Sequence, residues 1–336
     1  MDEGLHPMEL VGIDEAGYGP KIGPLVVAVS KWRFPPSAEQ PDGKNLDHRL
    51  REAFAIHGGS PVIGGKNQLI SIADSKQLYR SRKDLQALEQ GVLPLLKLAG
   101  WQGDTFQSLL NFSDPLASNV SRNLPWLAQY DVPIPQVIDQ ATFSQVTGQL
   151  AANLTQHQIQ LVEYRAKIIF ELEFNCRLRH LGNKAEVLWE VWTELLRESV
   201  IERCSLPAIV LADRQGGRVY YRDLLERWCQ NFGLSGCSVL RETHEESAYR
   251  IEGEKGWLEI LFSVKGERYL AVAAASMLAK YLREVVLEAF NRYWQDRVPH
   301  LRATAGYPAD AKRFKAAIAE VQSLVGIPDD LFWRQK

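Results

Sequence analysis

The sequence predicts an α/β fold in which a central mixed sheet is flanked by helices. Short apolar runs typical of buried strands alternate, along 336 residues, with longer stretches of helical spacing. Hydrophobic residues make up 46% of the chain and charged residues 24%, the ordinary composition of a globular protein with a sizeable core. We expect a single domain over 1–336 with large insertions, which this length allows.

The N-terminal part predicts two strands joined by a tight loop. Valine-rich or apolar runs favour strands over Glu9–Asp14 and Pro24–Trp32, and the loop between them is rich in glycine and proline. Residues 35–70 are rich in Gly, Pro and polar residues, which predicts an irregular excursion. Residues 77–98 predict a helix.

The middle of the chain changes in composition. Residues 99–154 have frequent Asn, Gln, Ser and Pro, which predicts an inserted, loop-rich subdomain. Helical spacing follows over Thr155–Leu181 and Lys184–Arg203. Aromatic residues of the insertion are able to stack on bases, but we expect them to form the insertion's own small core. They are Trp101, Phe106, Phe112, Trp126 and Tyr130.

The C-terminal half predicts further alternation. The apolar run Pro207–Ala212 leads into Asp213, which is typical of a buried strand. The remaining elements are a helix over Val219–Asn231, two or three strands within 236–264, and a helical C-terminal portion 269–336 with helices at Tyr269–Trp294 and Asp310–Leu324.

Several classes of protein are disfavoured by composition. No apolar run approaches the eighteen or so residues that span a bilayer, and the acidic N-terminus lacks a signal-peptide core, so we expect a cytoplasmic protein without a membrane partner. The net charge of −2 means that any nucleic-acid surface must be a local patch. The four cysteines form no Cys-x-x-Cys pair, which disfavours a zinc ribbon: Cys176, Cys204, Cys229 and Cys237.

Two adjacent carboxylates, Asp14 and Glu15, end the first predicted strand and precede a glycine loop. A lone acidic pair is commonly just a solvated strand end, but Gly17 and Gly19 allow backbone amides to approach a ligand closely. A dinucleotide-binding loop is rejected because Ile22 replaces its third glycine and the loop leads into another strand. We therefore expect no organic cofactor.

Two further sites carry polar groups in suggestive positions. Asp213 ends a buried strand beside two glycines, where an acid is commonly a turn-former. Ser276, Lys280 and Glu284 are spaced four apart along one face of an alanine-rich helix. The alternative for this face is a surface ion pair between Lys280 and Glu284.

Taken together, these motifs resemble type 2 ribonucleases H (ribonuclease HII). The similarity is dense over 9–34 and 265–290, patchy between 70 and 215, and absent from 99–154. The runs that carry it, in the family's order, are GIDEAGYGPKIGPLVVA from Gly12, ADSKQL at 73–78, LAD at 211–213, KGERYLAVAAASMLAKYLRE at 265–284 and AGYP at 305–308.

The resemblance implies a ribonuclease H-like fold with Asp14 and Asp213 on neighbouring strands. It assigns catalysis and metal binding to Asp14, Glu15, Asp213 and Glu284, although the family has Asp at the last position. It implies hydrolysis of the RNA strand of RNA–DNA hybrids, or of ribonucleotides embedded in DNA, with 5′-phosphate and 3′-hydroxyl products. The implied partner is a hybrid duplex, and protein partners are left open.

The resemblance also assigns substrate binding. The loop Gly17–Gly19 matches one whose backbone grips ribose 2′-hydroxyls, although the family has Arg or Lys where this chain has Tyr18. Tyr307 resembles the tyrosine that stacks beside the RNA–DNA junction. The complete set implied for the groove is Gly17, Tyr18, Gly19, Lys76, Ser276, Lys280 and Tyr307.

The chemistry of four gathered carboxylates requires cations. Each pair at 4 Å repels by roughly 1–4 kcal/mol, depending on the local dielectric. Hard oxygen ligands favour Mg²⁺ or Mn²⁺, and two such ions about 4 Å apart activate water and stabilise the leaving 3′-oxygen. Discrimination between RNA and DNA then depends on the 2′-hydroxyl.

Three alternatives stay open. A type 3 ribonuclease H usually carries an extra N-terminal substrate-binding domain, for which a catalytic motif beginning at residue 12 leaves no room. A non-catalytic nucleic-acid-binding protein with this fold is kept open by the departures at Tyr18 and Glu284. A related DNA nuclease would cleave without regard to the 2′-hydroxyl.

Overall fold

The computed structural model describes residues 7–37, 41–54, 85–202, 207–232, 234–253 and 256–335. Within them, seven strands form one sheet in the order β3-β2-β1-β4-β7-β6-β5. The strands are β1 (Met8–Ala16), β2 (Leu25–Phe34), β3 (Gln160–Ile169), β4 (Ala208–Asp213), β5 (Cys237–Glu242), β6 (Glu246–Gly253) and β7 (Gly256–Ser263).

The sheet is mixed, and its parallel part is central. β1 pairs with β4 in parallel, and β4 pairs with β7 in parallel, whereas β2, β3, β5 and β6 join by antiparallel ladders. The carboxyl ends of β1, β4 and β7 therefore meet at one edge, where parallel sheets usually bind ligands. This arrangement confirms the predicted α/β class, including the placement of Asp14 and Asp213 on neighbouring strands.

Helices cover both faces of this sheet. In chain order they are α1 (Gly43–Phe54), α2 (Leu85–Leu98), α3 (Phe106–Ser113), α4 (Pro115–Ser121), α5 (Gln140–Gln156), α6 (Glu171–Leu181), α7 (Lys184–Leu196), α8 (Arg222–Asn231), α9 (Leu270–Gln295) and α10 (Pro308–Val325). None of the described helices is long and apolar enough to span a membrane.

Alternation along β1 separates the core into two layers. Leu10 faces a layer dominated by α9, whereas Val11 and Ile13 face a layer containing α7 and α8. Gly12 points toward α9, and a Cβ there would lie 2.1 Å from the carbonyl carbon of Ala271. Only glycine permits this approach, which brings the start of α9 directly against the strand that carries Asp14.

The prediction of an irregular excursion over 35–70 is wrong where the structure describes it, because α1 occupies Gly43–Phe54. Its buried apolar residues Leu46, Leu50 and Ala53 follow helical spacing within a strongly polar sequence. The same helix contributes the buried Asp47, whose Oδ1 accepts the first amide of α9 at 2.5 Å. The polar composition concealed a helix that caps another helix.

The predicted helix over Thr155–Leu181 is also wrong in its first half. β3 occupies Gln160–Ile169, and only Glu171–Leu181 is helical. The inward positions of β3 include Glu163, which is buried beside Lys31 of β2 with Nζ and Oε2 3.5 Å apart. A charged residue on the inward face breaks the apolar alternation that identifies a strand.

Residues 99–154 contain α3, α4 and α5 and are more helical than expected. Their aromatic residues do not form a core of their own. Trp126 packs edge-on against Phe290 of α9 with ring centroids 5.1 Å apart, and the others belong to the same cluster as α9. The insertion therefore shares the main core, and its division as a subdomain stays a prediction.

Candidate active site

The parallel ladder between β1 and β4 brings two of the expected acids together. Ile13 pairs with Ala212, so Asp14 and Asp213 follow at the ends of adjacent strands. Asp14 lies two residues after Gly12 and therefore on the same face of β1, which is the face that packs against α9. Glu15, one residue further along the strand, points to the opposite face by the same alternation.

Asp14 is a buried acid among other acids, with only 6% of its surface exposed. Burial is the largest cause that raises the pKa of Asp14 well above its usual value, followed by the negative charge of Glu15. Asp213 adds a smaller effect in the same direction, and hydrogen bonding with Ser276 and the Glu15 amide only partly offsets these effects. The ionised form of Asp14 is therefore costly without a cation.

Asp213 is positioned by the turn before α9. The amide of Gly266 donates to Asp213 Oδ1 at 2.8 Å, and a Cβ at Gly266 would lie 2.6 Å from the Asp213 amide nitrogen. The hydroxyl of Ser276 donates to Oε1 of Glu267 at 3.2 Å and is also within hydrogen-bonding reach of Asp14. Glu267 thus lies beside Asp14 and Asp213.

Sequence reasoning missed Glu267 as a site residue. It lies inside the run KGERY, directly after the glycine that contacts Asp213, so its position in a matching motif was the available signal. Helical spacing gave no indication, because Glu267 precedes α9 in a short 3-10 turn at Gly266–Arg268.

On the opposite face, Glu15 and Tyr18 form a second environment. Tyr18 is partly buried against the layer that contains α7 and α8. Burial raises the pKa of Tyr18, and Glu15 raises it further, while the positive charge of Arg218 opposes both. Arg218 lies over the ring of Tyr221 at 5.8 Å. A cation from the loop after β4 therefore acts on Tyr18.

The glycines of the loop differ in what they do. Gly17 has a φ of +87°, and a Cβ there would lie 2.3 Å from the carbonyl oxygen of Pro24, so the fold itself requires glycine. Gly19 is exposed, and a Cβ there would meet no atom within 4 Å. Space beside Gly19 is open to a ligand.

A buried arginine near the C-terminus holds this loop. Arg334 Nη1 donates to the carbonyl oxygen of Gly17 at 2.5 Å, and Nη2 donates to that of Gly23. The amide of Gly23 donates in turn to Glu171 at 2.6 Å. Burial lowers the pKa of Arg334 to about 9 although Glu171 opposes this, so the guanidinium remains charged at neutral pH. We call Arg283, Glu171 and Arg334 the loop-holding cluster.

Arg283 extends the loop-holding cluster to the AGYP turn. Its Nη2 donates to the carbonyl oxygen of Ala305 at 2.8 Å, and the Lys21 amide donates to the carbonyl oxygen of Gly306 at 2.7 Å. Gly306 has a φ of +82°, and a Cβ there would lie 2.1 Å from the Ile22 carbonyl oxygen. The glycine loop and the AGYP turn are therefore packed as one unit.

A cleft of about 620 Å³ opens beside this unit. Its lining includes Lys280 and Glu284 from α9, Tyr307 from the AGYP turn, and Gln136 and Val137 from the insertion. Tyr307 is 54% exposed, which excludes a role as a core residue. The cleft has the volume of a ligand site.

Glu284 is held by two cations. Lys280 Nζ and Arg283 Nη1 each lie 2.9 Å from Glu284 Oε1. Lys280 and Glu284 thus form the ion pair that their spacing allows, but both side chains are mostly buried and line the cleft with Tyr307 rather than lying on an open surface. Its assignment as a metal ligand stays a prediction. Lys76 lies outside the described residues.

The acidic residues suit a hard divalent cation in their chemistry, since Asp14 is an uncompensated carboxylate beside two others. Among the described residues, however, no three acidic, histidine or cysteine side chains are gathered as a ready metal site. Asp14 and Asp213 are brought together, while Glu15 lies on the other strand face and Glu284 lies with its two cations.

No protein-family model and no curated protein matches the sequence. Solved structures similar to it include ribonuclease H2 from Pyrococcus horikoshii OT3, at 17% identity and a TM-score of 0.47, covering 97% of this chain and 92% of that one. Ribonuclease HII from Archaeoglobus fulgidus, in a complex with PCNA, has 15% identity and a TM-score of 0.39, with 97% and 96% covered. Ribonuclease H3 from Aquifex aeolicus has 17% identity and a TM-score of 0.37, with 97% and 71% covered. These three structures are ribonucleases H of types 2 and 3.

Proposed function

We propose that the chain is a divalent-metal-dependent endoribonuclease of the ribonuclease H type. It hydrolyses the RNA strand of RNA–DNA hybrids, or ribonucleotides embedded in DNA, leaving 5′-phosphate and 3′-hydroxyl ends. The observation that carries the proposal is the buried Asp14 beside Asp213 and Glu15, at the carboxyl edge of a parallel sheet. Such a charge arrangement is disfavoured unless a cation compensates it, and a bound cation in turn attracts an anionic substrate.

In this proposal, Asp14, Glu15, Asp213 and Glu284 hold Mg²⁺ or Mn²⁺, and Glu267 is a further oxygen donor. When bound, the metal activates water and stabilises the leaving oxygen. The Ser276 hydroxyl orients Asp14, and the Gly266 amide orients Asp213, so both carboxylates are aimed before substrate arrives.

Recognition of RNA is assigned to the glycine loop. The carbonyl of Gly17 points at Arg334, and in a trans peptide the N–H of the next residue points the opposite way. The Tyr18 amide is therefore directed away from the loop-holding cluster, where it donates to a ribose 2′-hydroxyl in this proposal. Open space at Gly19 admits the sugar.

The remaining groove residues follow the strand on either side. Lys280 and Lys76 bind its phosphates, and the exposed ring of Tyr307 stacks at the RNA–DNA junction. The proposed partner is a hybrid duplex in the cytoplasm, and neither a membrane nor an organic cofactor belongs to the proposal.

The test is cleavage of three duplexes of one sequence in Mg²⁺ or Mn²⁺: a hybrid, a DNA duplex with one ribonucleotide, and plain DNA. Cleavage of the first two, with 3′-hydroxyl products and no cut in plain DNA, supports the proposal. Equal cleavage of all three would identify a DNA nuclease instead.

A non-catalytic hybrid-binding protein is the second candidate. The observation that favours it is the double pairing of Glu284 by Lys280 and Arg283, which competes with any metal for that carboxylate. Binding of the hybrid without cleavage in either metal would select it.

A further inference from the structure

One segment of the insertion is fixed by a buried carboxylate of the main body. Glu89 of α2 is fully buried and accepts three successive backbone amides, those of Gln136 at 2.7 Å, Val137 at 2.8 Å and Ile138 at 3.0 Å. The hydroxyl of Tyr281, on α9, donates to the same carboxylate at 3.2 Å. Four donors on one buried acid form a strong, specific anchor.

This anchor specifies where the segment lies. Tyr281 belongs to the helix that carries Lys280 and Glu284. The carboxylate of Glu89 therefore fixes the position of the segment relative to α9, because it accepts hydrogen bonds from both. A loop whose only purpose was to connect helices would be satisfied by water at its surface. Here the backbone amides bind the buried Glu89, whereas the side chains of Gln136 and Val137 line the cleft.

The anchored segment lines the same cleft as the AGYP turn. Gln136 and Val137 line the same cavity as Glu284 and Tyr307. Val137 is 50% exposed, close to the 54% of Tyr307, so both walls present apolar surface to the space between them. The side-chain nitrogen Nε2 of Gln136 is buried and makes no hydrogen bond within the described part of the chain, and a buried donor gains from a partner.

We propose that the segment Gln136–Ile138 is the second wall of the substrate cleft and contacts the nucleic-acid strand opposite Tyr307. This inference rests on the proposed function, because it takes the occupant of the cleft to be the hybrid duplex. Val137 packs against a sugar, and the side-chain amide of Gln136 donates from Nε2 to a polar group of the strand. The insertion thus supplies a substrate contact from outside the regions that resemble the family.

Exposed valines provide a matched test, because Val120 is 42% exposed in the same insertion and does not line the cleft. The variants are Val137→Asp and Val137→Lys, with Val120→Asp and Val120→Lys as controls. A charge placed beside a phosphate changes hybrid binding by about tenfold at low salt, since Asp repels and Lys attracts it. We expect Val137→Asp to weaken binding, Val137→Lys to strengthen it, and both control variants to stay within twofold of wild type.

Two readouts separate this inference from the proposed function. Hybrid affinity is measured by fluorescence anisotropy across a salt series, in which Val137→Lys steepens the salt dependence by up to about one unit of slope. Cleavage is measured separately, and we expect KM to follow the affinity change while kcat stays constant. Equal behaviour of the Val137 and Val120 variants overturns the second wall even when wild type cleaves. Opposite shifts at Val137 alone support it even when no cleavage occurs.

Discussion

The molecule contains two clusters of buried charge at the glycine loop, and they are built on opposite principles. At the acidic edge, burial and neighbouring carboxylates all raise the pKa of Asp14. In the loop-holding cluster, Glu171 lies between two arginines, and every donor of Arg334 that contacts the loop reaches a backbone carbonyl. The first cluster gathers carboxylates of like charge, whereas the second places opposite charges and backbone carbonyls beside one another.

This difference separates chemistry from support. An uncompensated buried acid lowers stability and is expected where a ligand binds, while a balanced buried cluster restrains the backbone around it. Substitutions in the two clusters should therefore have effects of opposite sign on stability.

The largest effect is expected for Asp14→Asn. Hydrolysis should fall by about 10³-fold or more, because a metal-binding charge is lost from a nearly isosteric side chain. In metal-free buffer at neutral pH the same variant should be more stable than wild type and melt at a higher Tm, because a buried charge is removed from beside other carboxylates. Activity assays and thermal melts in EDTA measure both.

The pH dependence of that stability difference has a fixed sign. Between the ordinary pKa of an aspartate and the raised pKa of Asp14, the folded protein holds a proton that the unfolded chain has lost, so wild type loses stability as pH rises. The advantage of Asp14→Asn should vanish below about pH 4. A variant that melts lower than wild type at neutral pH would show that Asp14 is compensated after all.

The next effect is expected for Arg334→Met. Removing Arg334 leaves two loop carbonyls without their donor and Glu171 without one of its two neighbouring positive charges, at a cost of about 3–5 kcal/mol. The exposed Arg179→Met is the control, and it should change stability by less than about 0.5 kcal/mol. Arg334→Lys tests positioning, because it restores the charge but only part of the two-carbonyl contact. If the arginine orients the Tyr18 amide, Arg334→Lys should lower the preference for ribo- over deoxy-substrates more than it lowers Tm.

A smaller effect is expected at Tyr307. Loss of base or sugar stacking costs about 1–3 kcal/mol, so Tyr307→Ala should slow cleavage at a single embedded ribonucleotide by roughly tenfold or more. Tyr307→Phe keeps the ring and should retain most of the activity. The exposed position predicts little change in Tm for either variant. Equal losses on all substrates would mean that the ring does not read the junction.

The smallest effect is expected at Glu284. This residue is a proposed metal ligand like Asp14, but its charge is already compensated by two cations. Its carboxylate is already paired with Lys280 and Arg283, so Glu284→Gln should reduce activity less than Asp14→Asn does. Glu267→Gln provides the comparison, because Glu267 shares Ser276 with Asp14. Titration with Mg²⁺ and Mn²⁺ measures which variant needs more metal. If Glu284→Gln and wild type coincide at every concentration, Glu284 is only a partner for its cations.

The sequence was sufficient for the parts of the fold in which local pattern and tertiary contact agree. β1, β2 and β4 each contain a run of buried apolar residues long enough to predict a strand, and the motifs at Asp14 and Asp213 lie where β1 and β4 end. It failed at β3 because Glu163 is buried by an ion pair with Lys31, a contact between residues distant in sequence. The prediction failed at α1 because this helix is strongly polar, and its contact with α9, in which Asp47 accepts the first amide of that helix, cannot be seen in the local sequence.

The site was predicted only in part for a related reason. Acids at strand ends could be found from the resemblance, but Arg334 and Glu171 lie far from any motif, and only the folded chain brings them to the loop. Glu267 required the contact between Gly266 and Asp213 to become visible. Compensation of charge is a tertiary property, and it distinguishes the two clusters better than residue type does.

Helix α9 also acts as a measuring rod. It presents Ser276 to Asp14 near one end and Glu284 to the cleft of Tyr307 further along, and eight residues of helix span about 12 Å. In the proposed function, the distance from the acidic site to the cleft is thus set by the helix rise between Ser276 and Glu284, and the start of α9 is packed against Gly12. Deleting one residue between these positions would shorten the rod by about 1.5 Å and turn its far end by about 100°. In the proposed function, the position of cleavage relative to the junction therefore depends on this helix together with the AGYP turn that carries Tyr307.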